Sequence, residues 1–155
     1  MKPLHLIEHP EGGRFQEVFR SNILVHTANS DDSSVRSALT HIYFSLNPDQ
    51  KSRFHRVNGD EVWNLYQGMG LHLYLWDGTD SPPQCITLSA EENQFCYVVP
   101  SGVWQAAKPI QDTVLVGCSV APGFEFTGFE LIDSTSAEAQ LLLSIAPYLR
   151  QLMIS

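Results

Sequence analysis

Phe54-His55-Arg56-Val57-Asn58-Gly59-Asp60-Glu61-Val62-Trp63-Asn64-Leu65-Tyr66-Gln67-Gly68 is the stretch whose reading decides the fold. Asn58-Gly59 is the strongest short-range hairpin signal in a sequence, because both residue types tolerate the positive φ of a type I′ turn. With those two residues as the turn, Val57 faces Asp60 and Arg56 faces Glu61. Side chains alternate along a strand, so Phe54, Arg56, Glu61, Trp63 and Leu65 share one face. A charged pair among large apolar side chains is either the floor of a pocket or a salt bridge on a solvated sheet. Asp60 and Glu61 point to opposite faces, which excludes a paired-carboxylate centre of the glycosidase type.

Strand patterns continue on both sides of this segment. Phe15, Glu17 and Phe19 alternate with Gln16 and Val18 between Arg14 and Arg20. Ile42, Phe44 and Leu46 alternate with His41, Tyr43 and Ser45, and Asn47-Pro48-Asp49 closes that strand with turn chemistry. Gly68-Met69-Gly70 turns the chain into Leu71, Leu73 and Leu75, which alternate with His72, Tyr74 and Trp76. Short strands follow over 85–88, 95–99, 112–120 and 124–131. Residues 2–9 fit either a helix end or an edge segment, and Ser30-Asp31-Asp32-Ser33-Ser34 reads as the mobile loop. Only the tail is helical: Thr135-Ser136-Ala137-Glu138 fits a capping box, an Ala/Leu-rich run extends to Ala146, and Pro147 suits the first turn of a second short helix. Many short strands at regular spacing predict an all-β sandwich or barrel, one domain over 1–155.

Composition narrows the partners. The chain has 155 residues, 43% hydrophobic and 17% charged, and a net charge of −8. An acidic chain without a Lys/Arg cluster repels phosphate backbones, which argues against nucleic acid and anionic membranes. No apolar run approaches a membrane span and no signal-peptide core opens the chain. Cys85, Cys96 and Cys118 are odd in number and lack CxxC spacing, so each is expected to be a small buried hydrophobe. A reducing cytoplasm is the expected compartment.

Several of these residues resemble the signature motifs of the cupin superfamily. Glu61 and Gly68 hold the Glu and Gly positions of the first motif, His-x-His, four residues, Glu, six residues, Gly. Pro100, Gly102 and Gln105 fall on the second, Pro-x-Gly-x-x-His. Four segments in order resemble a small single-domain branch classed as a domain of unknown function. They are Glu11-Gly12-Gly13 with Arg20-Ser21, Phe54 to Trp63, Gly102 with Trp104-Gln105, and Val120 to Phe124. The resemblance implies a double-stranded β-helix, a jelly-roll barrel with an internal ligand cavity, and a homodimer. The histidine positions of the motifs hold Phe54, Arg56 and Gln105. Glu61 alone remains of the usual ligand set, so neither a bound metal nor another cofactor is expected.

Within that implied barrel, Glu61 and His55 are the candidate catalytic groups. Arg56, Gln105, Tyr43, Trp63 and Trp104 are the candidate ligand-binding groups. Arg56 would hold an anionic or carbonyl group with its planar fork. Gln105 would position a ligand without titrating, and the aromatic residues would wall a sugar-like or heterocyclic ring. His55 reads equally as a general base and as a hydrogen-bonded histidine beneath a loop. His41 and His72 read as structural, and His5, His9 and His26 as surface residues. Two function classes follow: a metal-independent isomerase or epimerase acting on a small polar molecule, and a non-catalytic small-molecule binding or sensing protein. A third possibility is a barrel that serves mainly as an oligomerisation scaffold.

Overall fold

The computed structural model describes residues 1–28 and 35–155. The Ser30–Ser34 loop lies outside the described residues. Strand accounts for 46% of the chain and helix for 12%. The strands are β1 (Ile7–Glu8), β2 (Arg14–Arg20), β3 (Leu24–Val25), β4 (Arg36–Ser37), β5 (Thr40–Leu46), β6 (Ser52–Val57) and β7 (Asp60–Gln67). Then come β8 (Leu71–Trp76), β9 (Gln84–Leu88), β10 (Cys96–Val99), β11 (Trp104–Pro109), β12 (Val114–Ala121) and β13 (Phe129–Leu131). A six-stranded sheet runs β1-β2-β5-β12-β7-β10. A five-stranded sheet runs β13-β6-β11-β8-β9, and β3 pairs with β4 alone. The two large sheets face each other as a jelly roll.

Alternation explains what each sheet buries. Phe44 and Leu46 on β5, Val114 and Val116 on β12, and Trp63 on β7 point inward from the six-stranded sheet. Leu71, Leu73 and Leu75 on β8, Leu88 on β9 and Ala107 on β11 meet them from the other. The five-stranded sheet is buried on its outer face as well. Phe54, Trp76, Trp104 and Ala106 pack there against Ala139, Leu142, Leu149 and Leu152 of the C-terminal tail. A sheet covered on both faces reads as continuously apolar, which is why β8 carries leucines inside and a tryptophan outside.

The Asn58-Gly59 corner departs from the predicted hairpin. β6 and β7 do not pair. β6 lies between β13 and β11 in one sheet, and β7 between β12 and β10 in the other. Arg56 stands opposite Glu130, not Glu61, and Glu61 stands opposite Val120 and Val99. Gly59 does not take the positive φ of a type I′ turn. Its small size serves a different purpose, because a Cβ there would lie 2.8 Å from the Pro122 carbonyl oxygen. The dipeptide marks a crossing between sheets.

The tail holds α1 (Ala137–Ile145) and a 3₁₀ segment, Pro147–Leu152, with Pro147 at its start. Ser136, not Thr135, caps α1 by accepting from the Ala139 N–H, while the Thr135 hydroxyl donates to Asp133. The expected strand over 124–131 is a 3₁₀ turn, Phe126–Gly128, followed by β13. Cys85 and Cys96 are exposed rather than buried, and only Cys118 fits the expectation. No helix among the described residues is long and apolar enough to cross a membrane.

The tail seals the outer face of the sheet that carries half the cavity, so its packing is testable. Leu142→Ala removes a fully buried side chain from this second core. It is expected to destabilise the protein by about 2–5 kcal/mol, read from the shift in the denaturant midpoint.

Candidate functional site

A cavity of about 200 Å³ lies between the sheets. Its polar end is built by three local devices. In the first, the chain turns at Glu11-Gly12-Gly13 with φ of +112° at Gly12 and +71° at Gly13. A Cβ at Gly12 would sit 2.0 Å from the Lys51 carbonyl oxygen, so only glycine lets this turn press against β6. The Arg53 N–H donates to the Glu11 carbonyl at 2.8 Å, and the Glu11 side chain is thereby carried inward.

There Glu11 meets His55. The Ser52 hydroxyl donates to Glu11 Oε1 at 2.8 Å, and Glu11 Oε2 lies 3.0 Å from His55 Nε2. His55 Nδ1 sits 2.7 Å from the Arg53 carbonyl oxygen. A carbonyl only accepts, so Nδ1 carries a hydrogen. One further proton is then shared between His55 Nε2 and Glu11 Oε2. Burial lowers the His55 pKa and raises that of Glu11, so each is pushed away from its charged form. His9 completes the cluster. Its Nδ1 accepts from the Glu11 N–H at 3.2 Å, so the 3.5 Å approach of that same nitrogen to Glu11 Oε2 is not an ion pair. Burial lowers the His9 pKa too.

The second device fixes Glu61. The Trp63 indole N–H donates to Gln105 Oε1 at 2.7 Å. An indole N–H can only donate, so the Gln105 amide is held with its NH₂ toward Glu61, and Nε2 donates to Glu61 Oε1 at 2.8 Å. Burial raises the Glu61 pKa to about 7. Glu11 adds to the rise, and His55 and the Gln105 hydrogen bond oppose it. The proton is therefore held far above the ordinary carboxylate range.

The third device is a β-bulge. Pairing of β2 with β5 shifts between Glu17 and Phe19. This moves Phe19 opposite His41 on the outer face and Arg20 opposite Thr40 on the inner one, against the simple alternation read from the sequence. Arg20 thus reaches the cavity mouth, where it donates to Glu17, Glu125 and the Phe124 carbonyl. This clamp holds Phe124 and Phe126 beside the opening, where Phe124, Phe126 and Phe129 form an edge-to-face cluster around His9.

The structure brings together four of the seven candidate residues. Glu61, His55, Gln105 and Trp63 all face the interior. Arg56, Tyr43 and Trp104 do not. Arg56 follows His55 on β6 and so points outward. Its Nε donates to Glu130 Oε2 at 2.7 Å and its guanidinium stacks 4.4 Å from the Trp104 ring. The expected Arg56–Glu61 pair therefore does not form, and Arg56 instead ties β6 to β13. Trp104 flanks Gln105 on the same strand and packs under the C-terminal tail. Tyr43 lies on the outer face of β5, with its ring 6.0 Å from that of Tyr66. The hairpin register, misread at Asn58-Gly59, put Arg56 inside. The alternation of β5 and β11 puts Tyr43 and Trp104 outside.

Sequence reading missed His9 and did not assign Glu11, Arg20, Phe15, Phe44, Phe124 and Phe126 to the site. Glu11 and Arg20 did stand in the segments that carry the family resemblance. His9 had no comparable signal, since a turn rather than a strand carries it inward.

Among the described residues no group of three or more His, Cys, Asp or Glu side chains is placed to hold a metal ion. His55 Nε2 faces Glu11 at 3.0 Å, and Gln105 presents an N–H donor rather than an acceptor to Glu61.

Comparison with known proteins gives consistent relatives. The family model described as Cupin superfamily (DUF985) matches residues 1–132. Protein SO0799 from Shewanella oneidensis is similar in structure, with a TM-score of 0.77 and 30% identity, covering 97% of this chain and 91% of that one. A hypothetical protein from Leishmania major gives 0.76 and 26%, covering 96% and 90%. The uncharacterised protein YML079W of Saccharomyces cerevisiae is 25% identical over 135 residues, 78% of this chain and 67% of that one.

The raised Glu61 pKa has a defined linkage to stability. A carboxyl whose folded pKa of about 7 exceeds its ordinary 4.5 contributes most below pH 4.5, and that contribution is lost as pH rises through 7. The shift corresponds to about 3 kcal/mol at 1.36 kcal/mol per pH unit. His55 and His9 act oppositely, since their lowered pKa values weaken the fold as pH falls below 6.5. The Glu61 effect therefore appears as a difference: Glu61→Gln is expected to gain about 3 kcal/mol on wild type between pH 4.5 and 7 and to stay level above, read from urea unfolding at each pH. Arg56→Ala, outside the cavity, is expected to cost about 1 kcal/mol or less by the same measurement.

Proposed function

The chain belongs to the cupin superfamily, and from that premise we propose that its cavity binds a small polar molecule and moves a proton on it without a metal. Glu61 is the primary acid–base group, and the His55–Glu11 pair is the second. The observation that carries this reading is the buried Glu61 carboxyl on the cavity wall, with Oε1 held by Gln105 and Oε2 free of a hydrogen bond among the described residues; its burial raises the pKa to about 7. An acid–base group is most effective when its pKa lies near the working pH. A buried carboxyl that served only the fold would gain nothing from this placement, since burial of an ionisable group costs stability.

The two groups have different duties. Glu61 has one oxygen held by Gln105, which leaves Oε2 for a ligand. The His55–Glu11 pair shares one mobile proton, so it can return a proton to the ligand and take up the negative charge that Glu61 loses on accepting one. Trp63 acts as a positioning residue, because it sets the orientation of the Gln105 amide and through it Glu61. Trp63 and Phe44, whose rings meet edge to face at 5.9 Å, offer flat apolar wall to a ring. Such a site suits epimerisation or isomerisation next to a carbonyl, in which Glu61 removes a C–H proton and the second pair returns one.

The test is solvent deuterium exchange. In D₂O, reducing sugars, hydroxy ketones and cyclic ketones are screened first for a rise in melting temperature and then by NMR for loss of a carbon-bound hydrogen. A compound that stabilises the wild type is expected to exchange, and Glu61→Gln is expected to keep binding while slowing exchange about 10²–10⁴-fold. Stabilisation without exchange in the wild type would make this a binding or sensing protein and overturn the catalytic reading.

A further inference from the structure

The cavity carries a charge pattern that selects its ligand. Arg20 is the only lysine or arginine among its lining residues, and every nitrogen of its guanidinium is occupied. Nε and Nη2 donate to Glu17, Nη2 also to the Phe124 carbonyl, and Nη1 to Glu125. One cation between two carboxylates leaves the mouth with a net charge of −1. An incoming anion would meet carboxylates and no free donor of positive charge.

Deeper in, the groups facing Glu61 come from four elements. Burial holds the His55 pKa down on β6, Gln105 on β11 is an uncharged amide, Cys118 on β12 has its thiol pushed up by burial, and Glu11 lies on the turn before β2. No permanent positive charge balances a Glu61 carboxylate. Its side chain is more than nine-tenths buried, yet among the described residues no hydrogen bond reaches Oε2. Phe15, Phe44, Trp63, Phe124 and Phe126 line the same cavity as that unpartnered oxygen. Aromatic faces attract cations and do not attract anions.

We propose that the cavity selects small organic bases and holds them as cations, with an ammonium or ring N–H donating to Glu61 Oε2 and the apolar part against Trp63 and Phe44. This rests on the assignment of the cavity as the ligand site; a base held on Glu61 Oε2 occupies the oxygen that would take a C–H proton from a carbonyl compound, so the two classes of ligand compete for one place. The protons balance simply. A protonated base keeps its hydrogens, and Glu61 ionises and releases its proton to solvent. At pH 6 binding releases close to one proton, and above pH 8 almost none.

The probes are three molecules of nearly equal shape: benzylamine, benzyl alcohol and benzoate. Titration calorimetry on the full chain at pH 6 is expected to show benzylamine binding at least tenfold more tightly than benzyl alcohol, with benzoate weakest. Proton release, followed by pH-stat, is expected to be close to one per benzylamine at pH 6 and to vanish at pH 8. Glu61→Gln is expected to lose at least tenfold in benzylamine affinity and all of the proton release. Equal binding of the alcohol, tighter binding of benzoate, no detectable binding of benzylamine at millimolar concentration, or no proton release at pH 6 would each overturn the proposal. If Glu61→Gln fails to fold by its melting curve, the isosteric comparison and the proton count on wild type decide alone. A wild type that releases a proton to benzylamine but exchanges no deuterium in the preceding test would keep the charge selectivity and lose only the acid–base role.

Discussion

The hydrogen-bond chain from Trp63 through Gln105 to Glu61 is the constraint on which the interior depends. It begins on β7, crosses to β11 in the facing sheet and returns to β7 two residues earlier. Each link has a fixed sense, because an indole only donates and the amide must then turn its NH₂ the other way. The chain thus does two things at once. It ties the two sheets across an otherwise apolar space, and it leaves one carboxylate oxygen available. Buried polar networks cost stability unless every member is satisfied, and here the deliberate exception is the oxygen that faces the cavity.

The second cluster follows the same logic with a different element. The Glu11-Gly12-Gly13 turn brings a carboxyl against His55, and Ser52 and the Arg53 carbonyl fix both partners. Burial pushes both members of the pair away from their charged forms, which limits the desolvation cost of holding two ionisable groups together. Glu11, His55 and Glu61 therefore coexist in one small space with His9 beside them, and burial pushes each away from its charged form.

The sequence was legible where a strand obeyed period two against a fixed face. β5 and β8 were read correctly, and so was the jelly roll, with its supporting motif residues Glu61, Gly68 and Gly102. Gln105 and Trp63 were placed inside, as they are. At the sheet corner, pairing partners far away in sequence override the local signal. Asn58-Gly59 looks like a hairpin, but Val57 pairs with Phe129 and Asp60 with Ala121, so Arg56 turns outward. The bulge after Glu17 exchanges the roles of Phe19 and Arg20, and no pattern within Arg14–Arg20 announces it. His9 and Glu11 reach the site on a turn, where alternation has nothing to say.

The five-stranded sheet has a further consequence. Along β6 and β11 the site residues and the residues packed beneath the tail are immediate neighbours in the chain, His55 beside Phe54 and Gln105 beside Trp104, yet they never share a face. Chemistry and scaffold are therefore interleaved in sequence and segregated in space. Descendants of this chain are free to exchange inward-facing side chains, and so acquire new specificities, while the outward set stays fixed and keeps the protein folded throughout.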